Sequence, residues 1–500
     1  MASNRSDNLG ALLAEAARHF SARDAIAVPG APEAKLCFAE LLAAAGSVRS
    51  ALADAGLATD EPVHVRVSNH PCDLVAYLGV WLAGGVVVPL HRSAPEGAVA
   101  QVIAKTRARF EWDALGADGS LKRRAEERPP LRPILEGAAL VVFTSGSSGL
   151  PKGAVLSHRA FAGKLAAIQS LLGFGESDRT LLVLNITFSF GIWVALLTLL
   201  HGGRLLAREK FSAAAFLREL AEERATRVAV VPTMMRSLIL DLPPARLESE
   251  GRALAAAGAL RHVLIGGETL GNSLGETLRT LIAPAGLIDI YGLTETSTCD
   301  FFLMPGEAAR YPGCIGRPSP GVRYRIAGED GQPVAPGAIG ELVIASPFLM
   351  SGYLDEPALE PVREGWLATG DLARERDPGV LEIAGRRKEL IYRGGNKVAP
   401  QEIELACSAH PKVAAAIVVG RPDARLGQRI HALVVPRQPG LAGAELREFL
   451  RARLEKYKQP DVLYFAAELP AGRTGKADRG RFAEMLERGE LAPVEGDIQP

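Results

Sequence analysis

Residues 138–153 read AALVVFTSGSSGLPKG, an apolar run from Ala138 to Phe143 that passes directly into TSGSSGLPKG, Thr144 to Gly153. Hydroxyl side chains, glycines and one lysine crowd this loop. Its backbone N–H groups and hydroxyls can converge on one point, with Lys152 adding charge, an arrangement suited to a polyphosphate. The spacing Gly-x-x-x-x-Gly-Lys of a Walker loop is missing, so the usual NTPase mechanism does not carry over. A flexible Gly/Ser linker is the competing reading. Against it stand the β-like run that feeds the loop and the pair Pro151-Lys152, which stiffens its exit before Ala154 to Leu156.

Outward from the loop, the chain has 500 residues, room for a large core and for about three domain-sized units. Lys plus Arg and Asp plus Glu both number 57, so no global field draws in nucleic acid or an anionic membrane, and any phosphate site must be local. The five cysteines, Cys37, Cys72, Cys299, Cys314 and Cys407, are scattered without a CxxC pair, which predicts a reduced, cytoplasmic chain lacking a zinc knuckle. The N-terminus has no signal-peptide core, and Leu9, Leu12, Leu13 and Phe20 are spaced as on an amphipathic helix. Leu181 to Leu200 carries no charge and a hydropathy window would flag it as a membrane span. Its internal pattern disagrees: Leu181 to Leu184 reads as a buried strand, Asn185 to Gly191 alternates polar and apolar residues, and Ile192 to Leu200 reads as a helix.

The first third alternates helix-like runs (Phe38 to Ala55, Asp73 to Ala83) with strand-like ones (Pro62 to Val67, Val86 to Pro89). Residues 92–133 yield only a helix around Gly97 to Arg107. After the loop come helices Phe161 to Leu171 and Ala213 to Glu223, then strands Arg227 to Val231 and His262 to Ile265. This rhythm predicts doubly wound α/β layers. From about Gly313, short β-like pieces with turn chemistry predict a β-rich subdomain over about 313–385. Beyond Arg386, helix Pro400 to Ala409, strands Ala414 to Val419 and Arg429 to Pro436, and helix Ala444 to Leu454 predict a small α+β domain.

Six segments occur in one order: TSGSSGLPKG; YGLTET, Tyr291 to Thr296; TGDLAR, Thr369 to Arg374; GRRKEL, Gly385 to Leu390; GGNKVAPQEIE, Gly394 to Glu404; and GRTGKADRGRF, Gly472 to Phe482. Taken singly, each residue in them has an ordinary reading as a strand end, a turn or a solvated charge. Together they resemble the acyl-adenylate-forming superfamily of acyl-CoA synthetases, peptide-synthetase adenylation domains and beetle luciferases, over nearly the whole chain. The resemblance implies an N-terminal domain 1–385, a hinge 386–388 centred on Lys388, and a mobile C-terminal lid 389–500. It implies ATP, Mg2+ and CoA as reactants or cofactors. Thr144, Ser145, Gly146, Ser147, Ser148, Gly149 and Lys152 would hold the β- and γ-phosphates, Thr294 would contact the α-phosphate and Glu295 would hold Mg2+. Tyr291 would lie along adenine, with Gly292, Gly267, Glu268 and Asp289 around the nucleotide. Asp371 would accept from the ribose hydroxyls, Arg386 would assist, and Lys476 would bridge the substrate carboxylate and the α-phosphate. Gly394 and Gly395 would enter a thiol tunnel after the lid swings.

The resemblance also bears on the acid. The adenine-facing asparagine common in the family is here Asp289, which can still accept from the amine. The aspartate that pairs with an α-ammonium in amino-acid-activating relatives falls on Thr187, and the gate histidine of many acyl-CoA synthetases falls on Phe188. Pocket positions Thr187, Phe188, Gly191, Leu264, Gly266, Ile290, Thr298 and Cys299 are small or apolar, which favours an uncharged aryl or medium-chain acid. The chain ends about 24 residues after Lys476, so no fused carrier domain is expected to follow. Free CoA is the expected acceptor, ahead of a separate carrier protein and an amine; an inactive acyl-nucleotide binder is the non-enzymatic alternative. Oligomeric state is not legible.

Overall fold

The computed structural model describes residues 7–115, 121–130, 132–145, 151–356, 362–437, 439–470 and 477–494. Four sheets organise them. In the first, the apolar run and the exit of the opening stretch become β1 (Ala138–Ser145) and β2 (Pro151–Ser157), antiparallel neighbours in register from Ala138↔Ser157 to Ser145↔Pro151. Pro151 and Lys152 therefore begin a strand. Val86–His91 and Pro62–Val67 continue this sheet in parallel from β1, and Val-rich, fully buried runs are what a parallel sheet covered on both faces requires. Two short strands, Phe110–Trp112 and Leu121–Arg123, extend the sheet within the stretch where the sequence showed only a helix. Helix α1 (His158–Leu172) leaves β2 directly; Ser157 caps it by accepting from the Ala160 N–H at 3.1 Å.

The second sheet runs parallel through Asp24–Val28, Arg204–Ala207, Arg179–Leu182, Arg227–Val230, His262–Gly266 and β3 (Gly286–Leu293). It then turns antiparallel at β4 (Thr298–Leu303). One apolar core holds residues from both sheets, with Val65, Leu140, Leu264 and Ile288 facing helices such as Pro71–Leu82 and α2 (Ser189–Leu200). Helix α2 is apolar on every side because it is enclosed on every side. Its 12 residues rise only about 18 Å. Among the described residues no helix is long and apolar enough to cross a membrane. The helix starts three residues earlier than its apolar pattern suggests. Asn185 Oδ1 accepts from the Thr187 N–H at 2.8 Å, and this turn bends the alternating stretch into a helix entry at Ser189.

The third sheet is antiparallel and contains Arg323–Ala327, Gly340–Ala345, β5 (Trp366–Asp377) and β6 (Val380–Arg386). A 3₁₀ turn, Arg387–Glu389, follows it. The next strand, Ile391–Arg393, already belongs to the fourth sheet, with Val413–Asp423, Gly427–Pro436 and Val462–Phe465. That sheet has its own apolar core around Ile403, Val434, Leu446 and Leu463.

Candidate active site

Strand β2 of the β1–β2 hairpin packs near the turn Thr294–Thr296 that joins β3 to β4. The last described rungs are Thr144↔Lys152 and Ser145↔Pro151; Gly146, Ser147, Ser148 and Gly149 lie outside the described residues, as does Lys476. A short strand, Gly352–Tyr353, pairs with Ala154–Val155 of β2. Tyr353 lies between two groups of opposite charge: Lys152 Nζ stands 5.5 Å from its ring centroid, and its hydroxyl donates to Glu295 Oε1 at 2.6 Å. Burial and the Glu295 charge push the Tyr353 phenol upward, so it remains a donor. The Met350 N–H donates to the Glu295 carbonyl at 2.8 Å, so one segment grips this glutamate twice. Thr294 Oγ1 is 3.5 Å from Ser189 Oγ, at the start of α2.

Gly292 is required by close approach, since a Cβ there would meet the Thr298 carbonyl oxygen at 2.3 Å. The tight path directs Tyr291 toward the third sheet. Its hydroxyl donates to Asp371 Oδ2 at 2.7 Å, and Arg386 Nε pairs with Asp371 Oδ1 at 2.9 Å. Asp371 and Arg386 are cross-strand partners in β5 and β6, which places the two expected ribose-side residues together by register. Burial raises the Asp371 carboxyl and Arg386 opposes that shift. Two of the carboxylate's roughly four acceptor directions are already used.

Glu268 is tied down: both oxygens lie within 2.9 Å of the Thr233 hydroxyl, and Arg236 Nη1 donates at 3.0 Å. Gly267 has φ +85°. Asp289 retains some solvent access, but desolvation pushes its carboxyl up to about 7, partly offset by the Ile290 N–H. An unfolded aspartate ionises near pH ~3.9, so between that pH and the folded value the folded chain holds a proton the unfolded chain has released, and stability falls as pH rises. Asp289→Asn is therefore expected to stabilise the protein by about 1–2 kcal/mol at about pH 8, with the gap closing by about pH 4, as read from melting curves.

The expected acyl positions divide into two sets. Leu264, Ile290 and Cys299 share one apolar cluster with Trp193, and Leu264 has no exposed surface. Gly266 abuts the Ile290 carbonyl, which a Cβ would meet at 2.4 Å, and Gly191 similarly abuts the Asn185 carbonyl. Thr298 is buried, Thr187 and Phe188 are partly exposed at the entry to α2, and Phe190 stacks on Trp193 with centroids 5.6 Å apart. Burial pushes the Cys299 thiol up to about 12, which keeps it protonated. The structure does not bring Gly394 and Gly395 to this site. They form an exposed hairpin tip, and the neighbouring Lys397 pairs with Glu329. Lys388 sits in the 3₁₀ turn, flanked by the pairs Arg387–Glu341 at 2.8 Å and Glu389–Arg479 at 2.9 Å.

Sequence reasoning missed Tyr353, Ser189, Thr233 and Arg236. Each reaches the site across more than 30 residues, so no local spacing signals it. Among the described residues no group of three or more His, Cys, Asp or Glu side chains could hold a metal. A single carboxylate, Glu295, linked through Tyr353 to Lys152, fits the donor set of Mg2+, which binds through one or two carboxylates plus substrate phosphates.

Comparisons with known proteins extend over most of the chain. The family described as AMP-binding enzyme matches residues 13–112 and 110–354, and the AMP-binding enzyme C-terminal domain matches 402–476. A sulfoacetate–CoA ligase of Cupriavidus necator is 32% identical, covering 95% of this chain and 97% of that protein. A feruloyl-CoA synthase of an Amycolatopsis species is also 32% identical, over 89% and 93%. The ATP-bound structure of MatB from Rhodopseudomonas palustris superposes with a TM-score of 0.82 at 26% identity, covering 97% of this chain and 99% of that one. The amide bond synthetase McbA from Marinactinospora thermotolerans gives 0.83 at 25% identity, over 95% and 99%.

Proposed function

Since this chain belongs to the AMP-binding enzyme family, in which ATP and CoA are substrates, we propose that it converts an uncharged aryl or medium-chain carboxylic acid to an acyl-AMP and then to its CoA thioester. The class, an AMP-forming acid–CoA ligase, follows from the family and its CoA-ligase relatives. One observation carries the residue assignment: Lys152 of the hairpin stands over the ring of Tyr353 while Glu295 of the β3–β4 turn accepts from its hydroxyl. A triphosphate laid along the hairpin would have a cation and a metal-binding carboxylate within one short stretch.

In the first step the acid's carboxylate oxygen attacks the α-phosphorus and pyrophosphate leaves. Two anions must be brought together, so the barrier yields to positioning and fixed positive charge. In this reading Thr294 donates toward the α-phosphate, while Lys152 and the hairpin N–H groups hold the departing phosphates. Asp371, braced by Tyr291 and Arg386, accepts from the ribose hydroxyls, and Lys476 joins the carboxylate to the α-phosphate. Mg2+, held by Glu295, would neutralise charge on the phosphate oxygens. In the second step the CoA sulfur attacks the acyl carbonyl carbon and AMP leaves. That attack needs the side occupied by Lys476, so the lid turns about Lys388, breaking Arg387–Glu341 and Lys397–Glu329 and bringing Gly394 and Gly395 inward.

The acid class is supported by Thr187, by Phe188 and the Phe190–Trp193 stack, and by the lack of a carboxylate among the pocket positions. The test is acid-dependent ATP–pyrophosphate exchange across an acid panel, followed by addition of CoA, a phosphopantetheinylated carrier protein or an amine. Aryl or medium-chain acids with CoA should give the turnover. Response only to amino acids or dicarboxylates overturns the acid class. Product only with the carrier or the amine overturns the acceptor, and no exchange with any acid favours a nucleotide binder.

A further inference from the structure

Behind the β3–β4 turn lies an ion pair that none of the chemistry above uses. Lys164, on α1, and Asp300, on β4, have no exposed side-chain surface, and their charged atoms are 2.7 Å apart. Lys164 Nζ also donates to the Cys299 carbonyl at 3.0 Å and faces the Phe348 ring at 5.2 Å from its centroid. Its donors are thus directed inward, and none is left for a ligand. Burial pushes the Asp300 carboxyl upward and the Lys164 charge is the largest influence opposing that push.

The other oxygen of Asp300 holds the turn itself. The Thr296 hydroxyl lies 2.5 Å from Asp300 Oδ2, and the Leu293 N–H in turn donates to the Thr296 hydroxyl at 3.4 Å. Between these two anchors sit Thr294 and Glu295. The backbone just beyond them is strained: Ser297 has φ +60° and Thr298 φ +113°, neither a glycine, and both are buried. Such a path persists only where its surroundings over-determine it. Asp300 supplies that constraint through Thr296, and Lys164 supplies the charge that opposes the upward push of burial on the Asp300 carboxyl.

We infer that Lys164 and Asp300 are positioning residues for adenylation: the pair fixes the Thr294–Glu295 turn against the helix that continues from the phosphate hairpin, setting the distance between the two phosphate-binding elements. The inference rests on the function proposed above and adds residues to it. If the pair served stability alone, an apolar pair of similar volume would replace it without loss, because buried ion pairs are often neutral or worse against such replacements. That contrast makes the two roles separable.

The variants are Lys164→Met, the double Lys164→Met/Asp300→Leu, and Thr296→Val, which keeps the ion pair and the side-chain shape but removes the hydroxyl that ties the turn to Asp300 and to the Leu293 and Thr298 carbonyls. Thermal melting, pyrophosphate exchange, thioester formation from supplied acyl-AMP, and Mg2+-dependent binding of a fluorescent ATP analogue are read on each. Lys164→Met should melt lower, and the double variant should regain the parental melting temperature. Both, with Thr296→Val, should lose adenylation by about 10²-fold. KM for the acid and thioester formation should stay within about threefold, and the gain in nucleotide affinity on adding Mg2+ should shrink. The inference is overturned if the double variant recovers adenylation together with melting temperature, or if both half-reactions fall equally. Should either Lys164 variant fail to fold, Thr296→Val decides by the same readouts. Nucleotide binding needs no acid, so a parent protein that binds Mg-ATP without activating any acid defeats the proposed acid reading while leaving this one testable.

Discussion

Lys476→Ala is expected to lower acyl-AMP formation by on the order of 10³-fold while leaving conversion of supplied acyl-AMP and CoA to thioester within about threefold of the parent. The split follows from where charge changes. During adenylation, negative charge builds between the attacking carboxylate and the α-phosphate, and a cation placed there stabilises the transition state more than the ground state. In the second half-reaction the acyl-AMP already exists, and the proposed lid turn would withdraw that cation. Among the described residues that flank Lys476, the Asp478 N–H donates to the Pro470 carbonyl at 2.8 Å and Arg479 pairs with Glu404 and Glu389. The two half-reactions are measured separately by pyrophosphate exchange and by thioester release. Equal loss in both would refute the division of labour.

Glu295→Gln is the second large effect, with adenylation falling by about 10²–10³-fold. The amide oxygen can still accept from Tyr353, and the Met350 N–H still holds the backbone carbonyl, so the turn should keep its shape. What disappears is one negative charge. A metal that reaches the site with the nucleotide then loses its only protein carboxylate in the turn, and the Mg2+ concentration for half-maximal exchange should rise steeply. A Mg2+ titration that superposes on the parent's would remove Glu295 from the metal's surroundings.

What was legible in the sequence depended on how far each interaction reaches along the chain. Periodicity placed Pro62–Val67, Phe38–Asp54 and Pro400–Ser408 because helix and strand patterns are local properties of neighbouring side chains. The onset of α2 was missed because an Asn-initiated turn imitates strand alternation over a few residues. The site was visible as ordered segments, yet its internal bracing was not. Tyr353 meets Glu295 across 58 residues, and Lys164 meets Asp300 across 136. Within its helix, the lysine of FAGKLAA looks like an ordinary charged surface residue, and only the packing of α1 against β4 shows otherwise. Asp371 and Arg386 were expected to serve the ribose together from two separate motifs, and it took the β5–β6 register to show them as direct cross-strand neighbours.

That register carries a mechanical consequence. Arg386 is the last residue locked to β5, and the proposed pivot at Lys388 begins two positions later, just past the end of the ladder. The carboxylate expected to hold the ribose is therefore the anchored end of a lever whose fulcrum is the following turn. In the proposed lid turn, the torque would be borne by the β5–β6 ladder and not by the nucleotide contacts, so the adenylate would stay seated while its surroundings change.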